Sequence, residues 1–380
     1  MQYQKKVLSS APGRIDLAGG FTDGCTGFAE KVPDLRGAVC NLGICLRARI
    51  EISHFMYPYG YPSWYSDTHS SSPPIMVRNE KRELDIRDIG LGEYEGRYDL
   101  FIAACQRLER QELSLANTLI KVSSEIPFGS GLGGSGAMGV ALMAGLLKGW
   151  FNQGFALHAY FGAEVSDARI AREARALEIE EINASSGWQD HYTAASGGIN
   201  LWTATVNPQV PARQFWMPGP KEIRTIEDHL LLVKTPLCQQ ARSSHQIQLQ
   251  CDLERANLLE DMVGHACSAF LALQSLDFQA LGKVVNFTWE AIKAFTQNTA
   301  TTCDIDSLIE FLLESGAYGA KACGSGGYGS CVVAIVDPCK RLQIQREIAN
   351  WEGFELLPVK LDFGGVKVRE DWSGSKIKKI

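Results

Sequence analysis

The chain has 380 residues, 45% of them hydrophobic and 21% charged, which is too long for one average domain and too apolar for a disordered chain. Its 37 Lys+Arg against 43 Asp+Glu give a net charge of −6, and no dense basic run precedes Lys376, Lys378 and Lys379, so a nucleic-acid wrapper is excluded. The longest small-and-apolar run, Gly136–Leu147, falls short of the roughly 20 residues a membrane span needs, and 11 scattered cysteines without a C-x-x-C pair indicate reduced thiols in a cytoplasmic protein.

In chain order, Val7–Leu17 reads as a strand running into the Gly-rich turn Ala18–Gly24, and apolar residues return at Ala38–Ile44. Leu46–Ser53 alternates as a half-buried strand. Residues 57–80, with Pro, Tyr, Ser, Asp and His clusters, read as a loop excursion. Tyr98–Leu113 has helical periodicity, and Thr118–Ser124 reads as a strand. The Gly-rich stretch from Pro127 to Gly136 then precedes an apolar helix over Val140–Leu147. Helices are expected at about 156–181, closed by Glu178, Glu180 and Glu181, and Gly197–Thr205 reads as a strand. Four prolines in 206–220 (Pro208, Pro211, Pro218, Pro220) suggest a linker between a domain at 1–205 and one at 221–380. Beyond it, Leu230–Val233 reads as a strand and 247–275, 278–295 and 305–315 as helices. The glycine run Gly324–Gly329 precedes a strand at Ser330–Val336, a helix covers Lys340–Trp351, and a strand pair near 354–369 follows. The fold class expected is α+β in two lobes.

Gly129-Ser130-Gly131-Leu132-Gly133-Gly134-Ser135-Gly136 lies between a strand and a helix. It offers backbone N–H groups with little side-chain obstruction, at a helix terminus carrying a partial charge of about +0.5, so a polyphosphate suits it. A tight turn with close helix packing explains the same glycines. No Lys follows the loop, so it is not a G-x-x-x-x-G-K-[ST] loop, and the G-x-G-x-x-G string Gly131–Gly136 sits outside any run of βαβ units. Phosphoryl transfer further needs a metal ion against the phosphates and a group that orients or deprotonates the attacking hydroxyl. Glu178 and Asp190 have the right chemistry, although Glu178 reads equally as a solvated helix charge. Asp190 stands among bulky Trp188, Gln189, His191 and Tyr192, an odd setting for a solvated acid. Arg14, after Pro12-Gly13, could bridge phosphate and hydroxyl, or form a surface ion pair with an acid such as Asp23.

Three motifs in one order carry a resemblance. Ala11-Pro12-Gly13-Arg14 with Gly19-Gly20-Phe21-Thr22-Asp23, then Pro127-Phe128-Gly129-Ser130-Gly131-Leu132-Gly133-Gly134-Ser135, then Lys321-Ala322-Cys323-Gly324-Ser325-Gly326-Gly327-Tyr328-Gly329 resemble the three motifs of the GHMP small-molecule kinases. Gly20 and Phe21 stand where galactokinases have Glu-His, and that form is similar to fucokinases and heptose-7-phosphate kinases. Gly187-Trp188-Gln189-Asp190 resembles a fucokinase stretch, Gln189–Asn200 resembles a heptose kinase one, and Gln240–Ser244 is similar to an Arg-bearing loop of those enzymes.

The resemblance implies an N-terminal ribosomal-protein-S5-like lobe and a C-terminal ferredoxin-like lobe with ATP between them. It implies an ATP-dependent kinase acting on a sugar or sugar-phosphate hydroxyl, as a monomer or homodimer, with ATP and Mg²⁺ and with neither nucleic-acid nor membrane partners. Asp190 would orient or deprotonate the hydroxyl, with Arg14 lowering its pKa and offsetting charge. Asp23 would bind sugar hydroxyls, and Gly20, Trp188 and Gly326 would line the substrate site, where Gly324 and Gly327 shape the floor. Gly129, Ser130, Gly131, Gly133, Ser135 and Gly136 would cradle phosphates. Glu178 and Ser135 would serve Mg²⁺. One departure stands out: the Ser/Thr usual directly after Gly-Leu-Gly is Gly134 here, so either Ser135 takes its place or the metal relies on Glu178 and water. A cyclitol or other polyol kinase, or a non-catalytic sugar- or nucleotide-binding regulator, fits the same scaffold.

Overall fold

The computed structural model describes residues 3–24, 36–54, 75–78, 83–85, 98–111, 113, 115, 118–150, 165–184, 186–205, 207, 210–236 and 253–374. The expected helix before residue 165 and the Arg-bearing loop at 240–244 lie outside them.

Two sheets organise the chain. The first has strands in the order β12-β1-β2-β5-β3-β4, with β6 also pairing β2 and β7 pairing β6. Its long centre is β1 (Tyr3–Ala18) against β2 (Ala38–His54), antiparallel, with register shifts at Pro12/Gly13 and Asp16/Ala18. Such irregularities bend a strand and re-aim its side chains; here they bracket Arg14. Strands β5 (Thr118–Ser124), β3 (Ile75–Arg78) and β4 (Glu83–Asp85) extend the sheet past β2. The loop expected over 57–80 therefore carries β3.

Helix α1 (Asp99–Glu109) precedes β5. Helix α2 (Gly134–Ala144) is buried almost all round, as its Gly-Ala-Met-Gly-Val-Ala-Leu-Met-Ala sequence requires, and runs on as a π turn over Gly145–Trp150. Helix α3 (Asp167–Ala176), capped by the Ser166 hydroxyl, continues as a π turn over Leu177–Glu181 that carries Glu178. Helix α4 (Gln189–Ser196) carries Asp190 and leads into β6 (Ile199–Thr203).

The stretch read as a linker, 206–220, needs correction. It holds β7 (Ala212–Trp216), an antiparallel partner of β6, and Pro220 opens helix α5 (Pro220–His229), where its missing N–H costs nothing.

The second sheet is antiparallel in the order β11-β8-β10-β9: β8 (Leu230–Lys234), β9 (Gly319–Ala322), β10 (Cys331–Ile335) and β11 (Glu355–Leu357). Its helices are α6 (Leu253–Gln274), α7 (Phe278–Phe295), α8 (Cys303–Glu314) and α9 (Pro338–Ile348), with α7, α8 and α9 capped by Asp277, Thr302 and Asp337. The final strand pair is also corrected. Strand β11 joins β8, whereas β12 (Lys367–Gly374) crosses back to β1 of the first sheet. One apolar cluster runs from Val7 and Ile15 through Leu142 to Val333 and Ile335, so a shared core ties the sheets together; a second, around Val233, Trp289 and Ile344, fills the space under the second sheet. Among the described residues no helix is long and apolar enough to cross a membrane.

Candidate active site

The glycine loop ends where α2 begins, and its first-turn amides are the donors a helix leaves unpaired. Gly133 caps α2 in the left-handed region, φ 71°, a conformation that costs side-chain-bearing residues about 1 kcal/mol or more. Gly136 matters for a different reason. A Cβ there would lie 2.7 Å from the Cβ of Asp190, so α4 can press Asp190 against the first turn of α2 only because that position is bare. Phe128 and Gly129 stand open to solvent at the mouth, while Ser130 is buried and its carbonyl accepts from the Cys331 amide at 2.8 Å. Of the expected phosphate cradle, then, Gly129, Gly131, Gly133, Ser135 and Gly136 line the turn, and the Ser130 side chain faces inward.

Arg14 reaches this turn from β1. Its amide donates to Leu132 O at 2.9 Å and its Nη1 donates to Gly131 O. Its Nε and Nη2 both lie on Asp190 Oδ1, at 2.8 and 2.7 Å. The guanidinium is 5% exposed and the Asp190 side chain 27%. Burial works against the Arg14 charge, but Asp190, then Asp16, Cys323 and Asp23, outweigh it and hold Arg14 above its ordinary value. Among the described residues none donates to Asp190 Oδ2, which lies toward Gly133, 3.5 Å from where a Cβ would be.

Glu178 sits behind Asp190. Ser135 donates its hydroxyl to Oε1, and His191 Nε2 lies 3.3 Å from Oε2 without the alignment of a hydrogen bond. Burial opposes ionisation of Glu178, yet His191, followed by Ser135 and Ser186, brings its pKa down to about 2. Of the two possibilities left open by Gly134, the hydroxyl that meets Glu178 is that of Ser135. A hydroxyl and one ionised carboxylate beside a phosphate loop suit a magnesium ion, which takes few protein ligands and completes its shell with phosphate oxygens and water.

Asp23 is buried beside this group. Its Oδ2 accepts from the Gln189 amide at 3.0 Å, capping α4 from another part of the chain, while Oδ1 meets Gln189 Nε2 at 3.4 Å. Burial first, then Asp190 and Asp16, push its pKa up to about 6 against the Gln189 amide and Arg14. Arg175, also buried, donates to the carbonyls of Gly187 and Ser186 at 3.1 and 3.2 Å and so pins the turn ahead of α4.

Three expected substrate contacts lie elsewhere than the sequence suggests. Trp188, expected to line the substrate site, is 3% exposed and part of the apolar core. Gly20 is buried against Asp16, whose Oδ2 would lie 2.4 Å from an added Cβ, and Gly326 is turned onto the carbonyl of Ala300, 2.0 Å from its own Cβ position. The sequence reading missed His191, Arg175 and the buried pair of Lys321 with Asp16. His191 stood out in the sequence only as one of the bulky neighbours of Asp190.

The two carboxyl groups predict opposite pH limbs of stability. Glu178 binds its proton more weakly when folded, so its contribution is present above its ordinary value of 4.5 and lost as pH falls toward about 2. Asp23 binds its proton more tightly when folded, so stability falls as pH rises from 3.8 to about 6. Each effect is on the order of 3 kcal/mol. In urea midpoints measured against pH, Glu178→Gln should flatten the acid limb and Asp23→Asn the decline between about pH 4 and 6.

Two family models match parts of the chain. Residues 99–198 match the family described as GHMP kinases N terminal domain and residues 269–352 that described as GHMP kinases C terminal. The D-glycero-alpha-D-manno-heptose 7-phosphate kinase of Campylobacter jejuni is 24% identical over 270 residues, 68% of this chain and 74% of that protein. The L-fucokinase/L-fucose-1-P guanylyltransferase of Bacteroides fragilis is 26% identical over 368 residues, 90% of this chain but 36% of that protein. Among solved structures, a D-glycero-D-manno-heptose 1-phosphate kinase from Bacteroides thetaiotaomicron superposes with TM-score 0.70 at 20% identity, covering 97% of this chain and 100% of that one. Lactococcus lactis galactokinase complexed with galactose does so with TM-score 0.64 at 15% identity, covering 95% of both chains.

Proposed function

We propose that the chain is an ATP-dependent sugar kinase of the GHMP kinase family and that it phosphorylates a hydroxyl of a free or already phosphorylated sugar of the fucose or heptose type. The observation that carries this reading is the contact of the Arg14–Asp190 pair with Gly133 and Gly136, which puts an acid and a guanidinium beside the phosphate loop.

The roles follow from the atoms. The triphosphate lies along Gly129–Gly136 with its charge at the N-terminus of α2. The acceptor hydroxyl sits on Asp190 Oδ2, the oxygen Arg14 leaves open. As the hydroxyl oxygen bonds to the terminal phosphorus and the bond to the bridging oxygen breaks, the hydroxyl proton passes to Oδ2 and ADP departs. Arg14 fixes Asp190 through two donors and offsets negative charge growing between acceptor and phosphate. Glu178 and Ser135 would hold a Mg²⁺ ion, which supplies charge neutralisation on the phosphates when bound. Asp23 holds α4, and hence Asp190, in place through the Gln189 amide.

The test is ADP release over a panel of L-fucose, heptose phosphates, uronic acids and cyclitols with ATP and Mg²⁺. Stimulation by a fucose- or heptose-type sugar is expected. Turnover with a cyclitol alone would replace the acceptor class, and no stimulation by any member would overturn the reading.

A further inference from the structure

Lys321 opens the third glycine motif on β9, and its side chain is 0% exposed. It crosses to the other sheet. Its Nζ donates to the main-chain oxygen of Asp16 at 2.9 Å and to Asp16 Oδ2 at 3.2 Å, and Asp16 is 0% exposed as well. Among the described residues, Asp16 Oδ1 is buried without a hydrogen-bond partner.

Asp16 stands two residues after Arg14 on β1, on the same side of a strand where successive side chains alternate. Arg14 therefore answers to three carboxylates, those of Asp190, Asp16 and Asp23. Only the one on Asp190 puts its fork beside the phosphate loop. The other titratable groups acting in this neighbourhood are the thiols of Cys40 on β2, Cys323 after β9 and, through Cys40, Cys267 on α6. Among the described residues, Lys321 is the cation that contacts Asp16. A buried carboxylate with an open oxygen and no cation is strongly unfavourable, and the means of relief on its own strand is the guanidinium of Arg14.

We propose that Lys321 is a positioning residue, which holds Asp16 in a buried ion pair so that Arg14 is left to Asp190. This rests on the kinase reading for its consequence in catalysis, though not for its geometry. It also gives the contact between the third motif and the first a task beyond joining two sheets.

The experiment compares wild type, Lys321→Met and Asp16→Asn/Lys321→Met. The readouts are steady-state kinetics with the best sugar of the panel from about pH 6 to 8 and the Arg14 Nε–H resonance, assigned by its loss in Arg14→Lys. Lys321→Met should lower kcat about 10- to 100-fold at pH 8 with KM for ATP little changed. Its Arg14 Nε–H signal should leave the wild-type position. The double variant, without either charge, should recover kcat to within about threefold and restore the signal. Should Lys321→Met not fold, the double variant decides. A double variant as impaired as the single one, or worse than about tenfold below wild type, would make the pair a strut between sheets and overturn the proposal, as would an unmoved Arg14 signal in Lys321→Met. If wild type turns over no sugar, the kinase reading falls, and the Arg14 signal still decides this proposal.

Discussion

Asp190→Asn is expected to lower kcat by about 10³- to 10⁴-fold while nucleotide affinity stays within a few-fold of wild type. The substitution is nearly isosteric, so α4 can still press against Gly136 and the amide oxygen can still accept from Arg14 Nε. What it removes is proton affinity at Oδ2, together with the anion that keeps Arg14 charged in a buried place. The donors of the phosphate loop are backbone amides of Gly-rich sequence and do not depend on Asp190, so ATP should bind. Single-turnover kinetics with a nucleotide-binding titration separates the two effects. A variant retaining more than about a tenth of wild-type kcat would remove Asp190 from the proton-accepting role.

The glycine loop proposed to meet phosphate was readable as a turn into a helix because its glycines serve a local need: a left-handed cap at Gly133 and a bare face at Gly136. Of the first sheet, β1, β2, β5 and β6 were readable as strands, whereas β3 lay in a stretch read as loop and β7 in one read as linker. The prolines misled in 206–220, because Pro220 at the start of a helix and a mostly exposed strand before it look like linker when their partners are unknown. A strand such as β12 cannot announce that its partner is β1, more than 350 residues earlier in sequence, rather than the neighbouring β11.

Within the site, Arg14 and Asp190 could be picked out singly by residue type. Their contact across 176 residues could not. The cap of α4 is an instance of the same limit. Trp188 at the N-cap offers no oxygen, and the acceptor is Asp23, 166 residues away, so neither the helix nor the burial of Asp23 shows in local sequence. Trp188 fills the core, and local sequence does not distinguish that from a side chain lining a site. Lys321 is harder still. A lysine in a strand ordinarily marks an exposed edge, and only the opposing Asp16 explains one at 0% exposure.

Arg14→Lys is expected to lower kcat by about 10²- to 10³-fold, although it keeps the charge. The guanidinium makes three side-chain contacts in fixed directions: Nε and Nη2 to Asp190 Oδ1 and Nη1 to Gly131 O. A lysine ammonium is one point at the end of a flexible stem and cannot occupy both the carboxylate and the loop carbonyl. Asp190 would then lose the orientation that turns Oδ2 outward, and the loop would lose its side-chain tie to β1, while the Arg14 amide bond to Leu132 would remain. KM for ATP should therefore rise less than kcat falls. Because the two side chains act as one unit, Asp190→Asn/Arg14→Lys should be little worse than Asp190→Asn alone. Multiplying losses, with the double variant down by the product of the single effects, would show that Arg14 acts on the phosphate independently of Asp190 and that the ion pair is incidental to catalysis.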